Sequence, residues 1–118
     1  MPVNRGDVIL AYVANVGSPG GKVRPALVVQ SDHNNARLHE TIIAAITSNM
    51  SRVQEPTQLF IDLASPDGAA SGLLHDSALR CERLHSIPQG DVRRVIGTLS
   101  DALMLQVNDC LKAALGLS

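Results

Sequence analysis

The sequence predicts a mainly β fold of the α+β class, most simply a small curled barrel closed by a C-terminal helix. Three observations carry that prediction. Short apolar runs rich in β-branched residues recur from Asp7 onward, each bounded by Gly, Pro, Asn, Asp or Ser. After Ser100 the apolar period changes from two to three and four residues, the spacing of one helical face. No repeat, linker or low-complexity stretch divides the 118 residues, so residues 1–118 read as one domain.

The elements follow in order. Asp7 to Ala14, DVILAYVA, is a first strand, with Arg5-Gly6 as the turn before it. Asn15 to Gly21 holds three Gly and one Pro and reads as a mobile loop. Pro25 to Ser31 is a second strand, apolar enough to be expected buried on both faces, with Pro tolerated at its first residue. Asp32 to His39 is turn chemistry, because Asp and Asn side chains bond local backbone. Glu40 to Ile46 is a third strand ending in Thr47-Ser48-Asn49, and Thr57 to Leu63 is a half-exposed fourth.

Ala64 to Ser71 is again loop. Ser77 to Ile87 contains two short extended pieces, SALRCE and LHSI, before a Pro88-Gln89-Gly90 turn, and Arg94 to Leu99 is a last short strand. The helix then places Leu103, Val107, Cys110, Leu111 and Ala114 on one stripe. Ser100 is its N-cap, Asp101 complements the dipole and Gly116 ends it.

Composition limits the function. A net charge of −1 and a pI of about 6.4 argue against a bulk electrostatic binder of duplex nucleic acid. A local basic groove remains open to Lys22, Arg24, Arg37, Arg52, Arg80 and Arg83. Tyr12 and Phe60 are the only aromatics, so any grip on nucleic acid must use charge and backbone rather than ring stacking. Cys81 and Cys110 form no CxxC pair, no apolar run reaches membrane length, and no signal peptide is expected. A soluble cytoplasmic protein with packed, idle thiols is expected. The histidines lack zinc-site spacing, so no metal and no cofactor are expected.

The most informative stretch is KVRPALVVQ, Lys22 to Gln30, behind the GSPGG loop. A guanidinium anchored at the root of a strand, below a mobile loop, can clamp a phosphate with planar bidentate geometry. The plainer reading is a surface Arg before an edge-strand Pro.

Read together, several segments resemble the MazF/PemK family of toxin endoribonucleases. Arg5-Gly6-Asp7-Val8-Ile9 resembles that family's opening RGD-I/V, and Gly20 to Val29, GGKVRPALVV, its Gly-containing loop with R-P and a strand. Ala45-Ile46-Thr47-Ser48 resembles its P-I-T-S segment, Ser77 to Ile87 its V-x-C-D-Q-x-R-T-I stretch, and Ile96 to Ser100 its I-G-x-L-S lead into the final helix. The similarity keeps its order from about residue 5 to about residue 117. The resemblance implies an SH3-like barrel, usually a homodimer with an RNA groove at the subunit interface. It further implies metal-independent, sequence-specific cleavage of single-stranded RNA, and inhibition by a cognate antitoxin protein.

Residue by residue, the resemblance implies catalytic roles for Arg24 and Thr47, with Ser48 able to share the second. Arg24 stays protonated and therefore suits phosphate clamping. Thr47 can donate to a phosphate oxygen, or else bond local backbone as strand-end threonines do. Arg80 and Glu82 match an Arg-x-Asp pair of some relatives, and spacing of two on a strand sets them on one face. Glu82 is then the carboxylate to nominate as base, the alternative being an ordinary ion pair. His85 stands where many relatives have Arg, which would make one phosphate contact pH-dependent. Lys22 and Arg83 extend the RNA-binding track, and Gly20 and Gly21 belong to a loop that gates the groove in the family. Asp7 fixes local backbone. The competing reading is a catalytically inactive SH3-like barrel, an interaction module that binds an antitoxin-like partner.

Overall fold

The computed structural model describes residues 2–118. Its strands are β1 (Asp7–Ala14), β2 (Gly21–Val28), β3 (Glu40–Thr47), β4 (Gln58–Ile61), β5 (Ser77–Pro88) and β6 (Val92–Thr98). They form one antiparallel six-stranded sheet in the order β4-β5-β3-β2-β1-β6. Two short helices, α1 (Asp32–Arg37) and α2 (Pro66–Ala69), lie in connections, and α3 (Asp101–Leu115) closes the chain.

Alternation along β1 divides the core in two. Val8 joins Leu27, Ile61, Leu79 and Cys81 beneath Met104, Val107 and Cys110 of α3. Ile9 and Ala11 face the other way, among Val13, Ala26, Val28, Ile43 and Ile87. The α3 stripe is the expected one with Met104 added. Ser100 caps it through its hydroxyl, which accepts from the Leu103 N–H at 3.2 Å, and Gly116 ends it at φ +70°. Arg5 ties the helix to the sheet, donating to the Val29 carbonyl at 2.9 Å and to Asn108 Oδ1 at 2.7 Å. Asp7 accepts from the Asn4 N–H at 2.9 Å, which is the local backbone role expected of it.

The sheet is curled but its outer strands do not pair, so the barrel is not closed by hydrogen-bonded strands. Closure comes from the segment after β4, which crosses the free edge of β6. The Thr98 N–H donates to the Ala70 carbonyl at 3.1 Å. Gly72, at φ +75°, and Gly97 permit this approach, because a Cβ on them would collide with the backbone of Ile96 and of Ala70-Ser71 respectively.

Several expectations need correction. The second strand begins at Gly21 rather than Pro25, and only its Ala26, Leu27 and Val28 are buried. The cause is partner geometry: β1 pairs with β2 from Gly21 to Leu27, while β3 joins only at Ala26 to Val28. Pro25 therefore stands inside the strand, where the β3 side is still open and a missing N–H costs no ladder bond. Asp32 to Arg37 is a helical turn capped by the Ser31 hydroxyl rather than a simple turn. The fourth strand is confined to Gln58–Ile61, with polar Gln58 inside and Phe60 outside. The stretch Ala64 to Ser71 contains α2. The pieces SALRCE and LHSI are one strand with an irregularity in it.

Gly72→Ala should cost about 2 kcal/mol, the scale of a residue forced into a strained conformation. Gly90→Ala, at a site with open space and no positive φ, should stay within about 0.5 kcal/mol. Denaturant unfolding of the two variants tests the closure, and equal midpoints would refute it.

Candidate functional site

Four strands, β1, β2, β3 and β5, build a cleft on the sheet face opposite α3. Pairing with β1 carries β2 beyond the reach of β3, and alternation sets Lys22, Arg24 and Ala26 on the same side. Ile43, Ala45 and Thr47 of β3 continue that face. On β5 a regular strand would send Arg80 and Arg83 to opposite faces. Instead the register jumps: Ala44 pairs with Leu84, and Ala45 with Arg80. The residues between them form a bulge that redirects the chain. Arg80, Arg83 and His85 consequently all line one cleft with Lys22, Arg24 and Thr47, about 490 Å³ in volume.

The β1–β2 connection forms the rim. Asn15 donates its N–H to the Gly20 carbonyl at 2.8 Å and its side-chain amide to the Pro19 carbonyl at 3.0 Å. Asn15, Val16 and Ser18 join the lining. These three were not singled out from sequence, although the Gly-rich loop that contains them was. Gly20 and Gly21 do not line the cleft. Gly20 supplies a positive φ of +84°, and Gly21 packs so closely on Val13 and Tyr12 that a Cβ would collide. Their part is to shape the hairpin.

Arg24 and Thr47 thus meet in one cavity. The Thr47 hydroxyl oxygen also accepts from the Asn49 N–H at 3.1 Å, so the local-backbone bond is real, and the hydroxyl proton stays free to donate. Ser48 turns to an adjoining, mostly apolar hollow of about 460 Å³, which meets the cleft at Pro25, Ile46 and Thr47. Arg37 and Arg52 stand apart from both.

Arg80 and Glu82 stand side by side as spacing required, with Arg80 Nε donating to Glu82 Oε2 at 2.9 Å. Glu82 itself is not part of the cleft lining. Its Oε2 also accepts from Gln58 Nε2 at 2.8 Å, and its Oε1 from the Thr57 hydroxyl at 3.0 Å. Partial burial works to raise its pKa. The hydrogen bonds from Arg80, backbone, Gln58 and Thr57 outweigh burial and hold the carboxyl below its ordinary value. A carboxylate so occupied is a poor proton acceptor. The geometry suits it to holding Arg80, not to the base role nominated from sequence.

Among the described residues no Asp or Glu lines the cleft, and its charged groups are Lys22, Arg24, Arg80 and Arg83, with the His85 imidazole beside them. Such a surface accepts an anion with several oxygens. Among the described residues, no three His, Cys, Asp or Glu side chains gather as a metal site would need.

A family model described as PemK-like, MazF-like toxin of type II toxin-antitoxin system matches residues 4–115. The chain belongs to this toxin family. The chain is similar to endoribonuclease EndoA of Bacillus subtilis, 35% identical over 99% of this chain and 97% of that protein. Endoribonuclease MazF of Staphylococcus saprophyticus is 31% identical over 98% of this chain and 92% of its own length. Among solved structures, Mycobacterium tuberculosis toxin MazF-mt6 superposes with a TM-score of 0.77 at 22% identity, covering 95% of this chain and 98% of that one. A mycobacterial endoribonuclease in complex with its cognate antitoxin gives 0.77 at 20% identity, covering 98% and 97%. The PemK/MazF fold is therefore shared along nearly the whole chain. No helix of the described residues is long and apolar enough to cross a membrane.

The Glu82 clamp has a signed pH consequence. A carboxyl whose folded pKa is depressed adds stability above its unfolded pKa and loses it as pH falls through the folded value. Wild type should therefore be more stable than Glu82→Ala near neutrality, and thermal melts of the two should converge below the carboxylate range. A gap that persists in acid would show that the clamp acts by packing alone.

Proposed function

We propose that the chain is the toxin of a type II toxin-antitoxin pair and a metal-independent endoribonuclease. It cuts single-stranded RNA, messenger RNA included, at short sequence motifs. The single observation that carries this reading is the convergence of Arg24, Thr47, Arg80 and Arg83 on one cleft with no carboxylate in its lining. The names of the relatives at 31–35% identity, endoribonuclease EndoA and MazF, support the reaction class. A cationic lining repels a divalent ion and attracts the phosphodiester itself, which favours protein-only chemistry.

Such chemistry needs donors for the charge that develops on the phosphorane oxygens. Arg24 clamps the non-bridging oxygens, and Thr47 donates its free hydroxyl proton to the same group. Arg80, steadied by Glu82, supplies a second guanidinium, while Lys22 and Arg83 hold neighbouring phosphates. The 2′-hydroxyl attacks phosphorus and the P–O5′ bond breaks. The products are a 2′,3′-cyclic phosphate and a 5′-hydroxyl end, so DNA binds without being cut.

The protein acts as a homodimer in the cytoplasm, and a cognate antitoxin silences it by occupying the groove. The exposed Leu74 and the apolar hollow beside the cleft are surface that such pairing would cover. The inactive-module reading is less favoured because Arg24 and Thr47 share the cleft with Lys22, Arg80 and Arg83.

Purified protein should cut unstructured RNA in EDTA, and end-mapping should find the cyclic phosphate. Arg24→Ala should lose at least about two decades of rate, the scale for removing one transition-state donor. Intact RNA at high enzyme excess, across several sequences, would defeat the proposal, and a metal requirement would defeat its mechanism.

A further inference from the structure

Strand cleavage through the 2′-hydroxyl requires a group that takes its proton, and the cleft offers few. Glu82 lies outside the lining, and both its oxygens already accept bonds from Thr57, Gln58 and Arg80. Arginine has no free lone pair at any ordinary pH, and lysine none near neutrality. The Thr47 hydroxyl is a weak acceptor, and its oxygen is engaged by the Asn49 N–H. Imidazole is the side chain type suited to exchange a proton near neutral pH.

We propose that His85 is the general base of this cleft, an inference that rests on the ribonuclease reading above. The β5 bulge turns His85 onto the same face as Arg80 and Arg83, and its register partner on β3 is Ile43. The half-buried ring thus stands in the lining with Arg24 and Thr47, the residues assigned to the scissile phosphate. The charged groups around it are Arg80 and Arg83 from its own strand and Lys22 and Arg24 from β2. On the other sides β3 contributes only Ile43, Ala45, Ile46 and Thr47, and the β1–β2 loop only Asn15, Val16 and Ser18. Neither β4 nor α3, which pack on β5, adds a lining residue.

In the reaction the 2′-hydroxyl proton passes to an unprotonated imidazole nitrogen while O2′ bonds to phosphorus. The P–O5′ bond breaks with its electron pair, and the leaving oxygen takes a proton from water. The imidazolium then returns its proton to the hydroxide so formed, and no oxidant, metal or further reactant is needed.

The test compares wild type with His85→Gln and His85→Arg on one mapped RNA oligonucleotide in EDTA. Affinity is measured on the same oligonucleotide with a 2′-deoxy sugar at the scissile position. For wild type, log kcat should rise with unit slope on the acid side and then level off. Both variants should lose at least about a hundredfold in kcat, the scale of general-base catalysis, together with that acid limb. Their affinity for the deoxy analogue should stay within about threefold, because the lost contact belongs to the transition state. A substrate with sulfur in place of the bridging 5′-oxygen, whose leaving group needs no proton, should leave the variants as impaired as before.

Variants that cut at the wild-type rate with the same acid limb would overturn the assignment. So would a fall in affinity that matches the fall in rate, which means a phosphate contact, or rescue by the sulfur substrate, which means an acid. In each of those cases wild type still cuts RNA and the ribonuclease reading survives. Wild-type protein that cuts no RNA sinks both.

Discussion

The irregularity in β5 is the constraint on which the rest of the molecule depends. One face of that strand must supply Leu79 and Cys81 to the core under α3, and the other must supply cations to the cleft. A regular strand carried past Cys81 would set Arg83 and His85 on the Leu79 face, beneath the helix. Burying a guanidinium there without a partner costs several kcal/mol, on the order that unfolds a small domain. With the bulge at Cys81 to Arg83, Leu84 takes the inward place instead, packed against the same cluster. The core and the cleft are both satisfied by one change of register.

That change is anchored from both sides. Above, Glu82 projects from the bulge to Thr57, Gln58 and Arg80, and so links β4 to β5 through charge-assisted bonds. Below, Cys81 and Cys110 are free thiols packed together under the helix. Cys110 donates to the Gln58 carbonyl at 3.6 Å. Burial pushes the Cys81 thiol up to about 12, and the nearby Cys110 and Glu82 add to it. Cys110 is raised as well, by burial first and then by Asp109. Neither thiol has thiolate character at neutral pH, so both behave as small hydrophobes of the core.

Much of this was legible in the residues. β1 runs over the expected Asp7 to Ala14 because pattern and pairing agree there. The α3 stripe and both its caps follow from spacing and from Ser100 and Gly116. The first half of β2 was hidden because Gly21 to Arg24 looks like loop; its extended form is imposed by β1, through pairs such as Ala14 with Gly21. The helical turn α1 was hidden for a similar reason. Its residues DHNNAR are weak helix formers, and it is held by tertiary bonds in which Asn35 joins Gln30 and Thr41. In the site, the resemblance to the family pointed to Arg24 with Thr47, and strand spacing set Arg80 beside Glu82. The occupancy of Glu82 was not, since Gln58 comes from a strand whose register with β5 no local pattern sets.

The cleft draws its walls from more than half of the chain's length in order, from Val13 on β1 to His85 on β5. β3 lies between β2 and β5 in the sheet, so the hairpin made first supplies only one bank. A nascent polypeptide that has emerged only as far as β4 therefore carries Arg24 and Thr47 without Arg80, Arg83 or His85. Assembly of the full cationic surface is thus deferred by topology until late in the chain's synthesis.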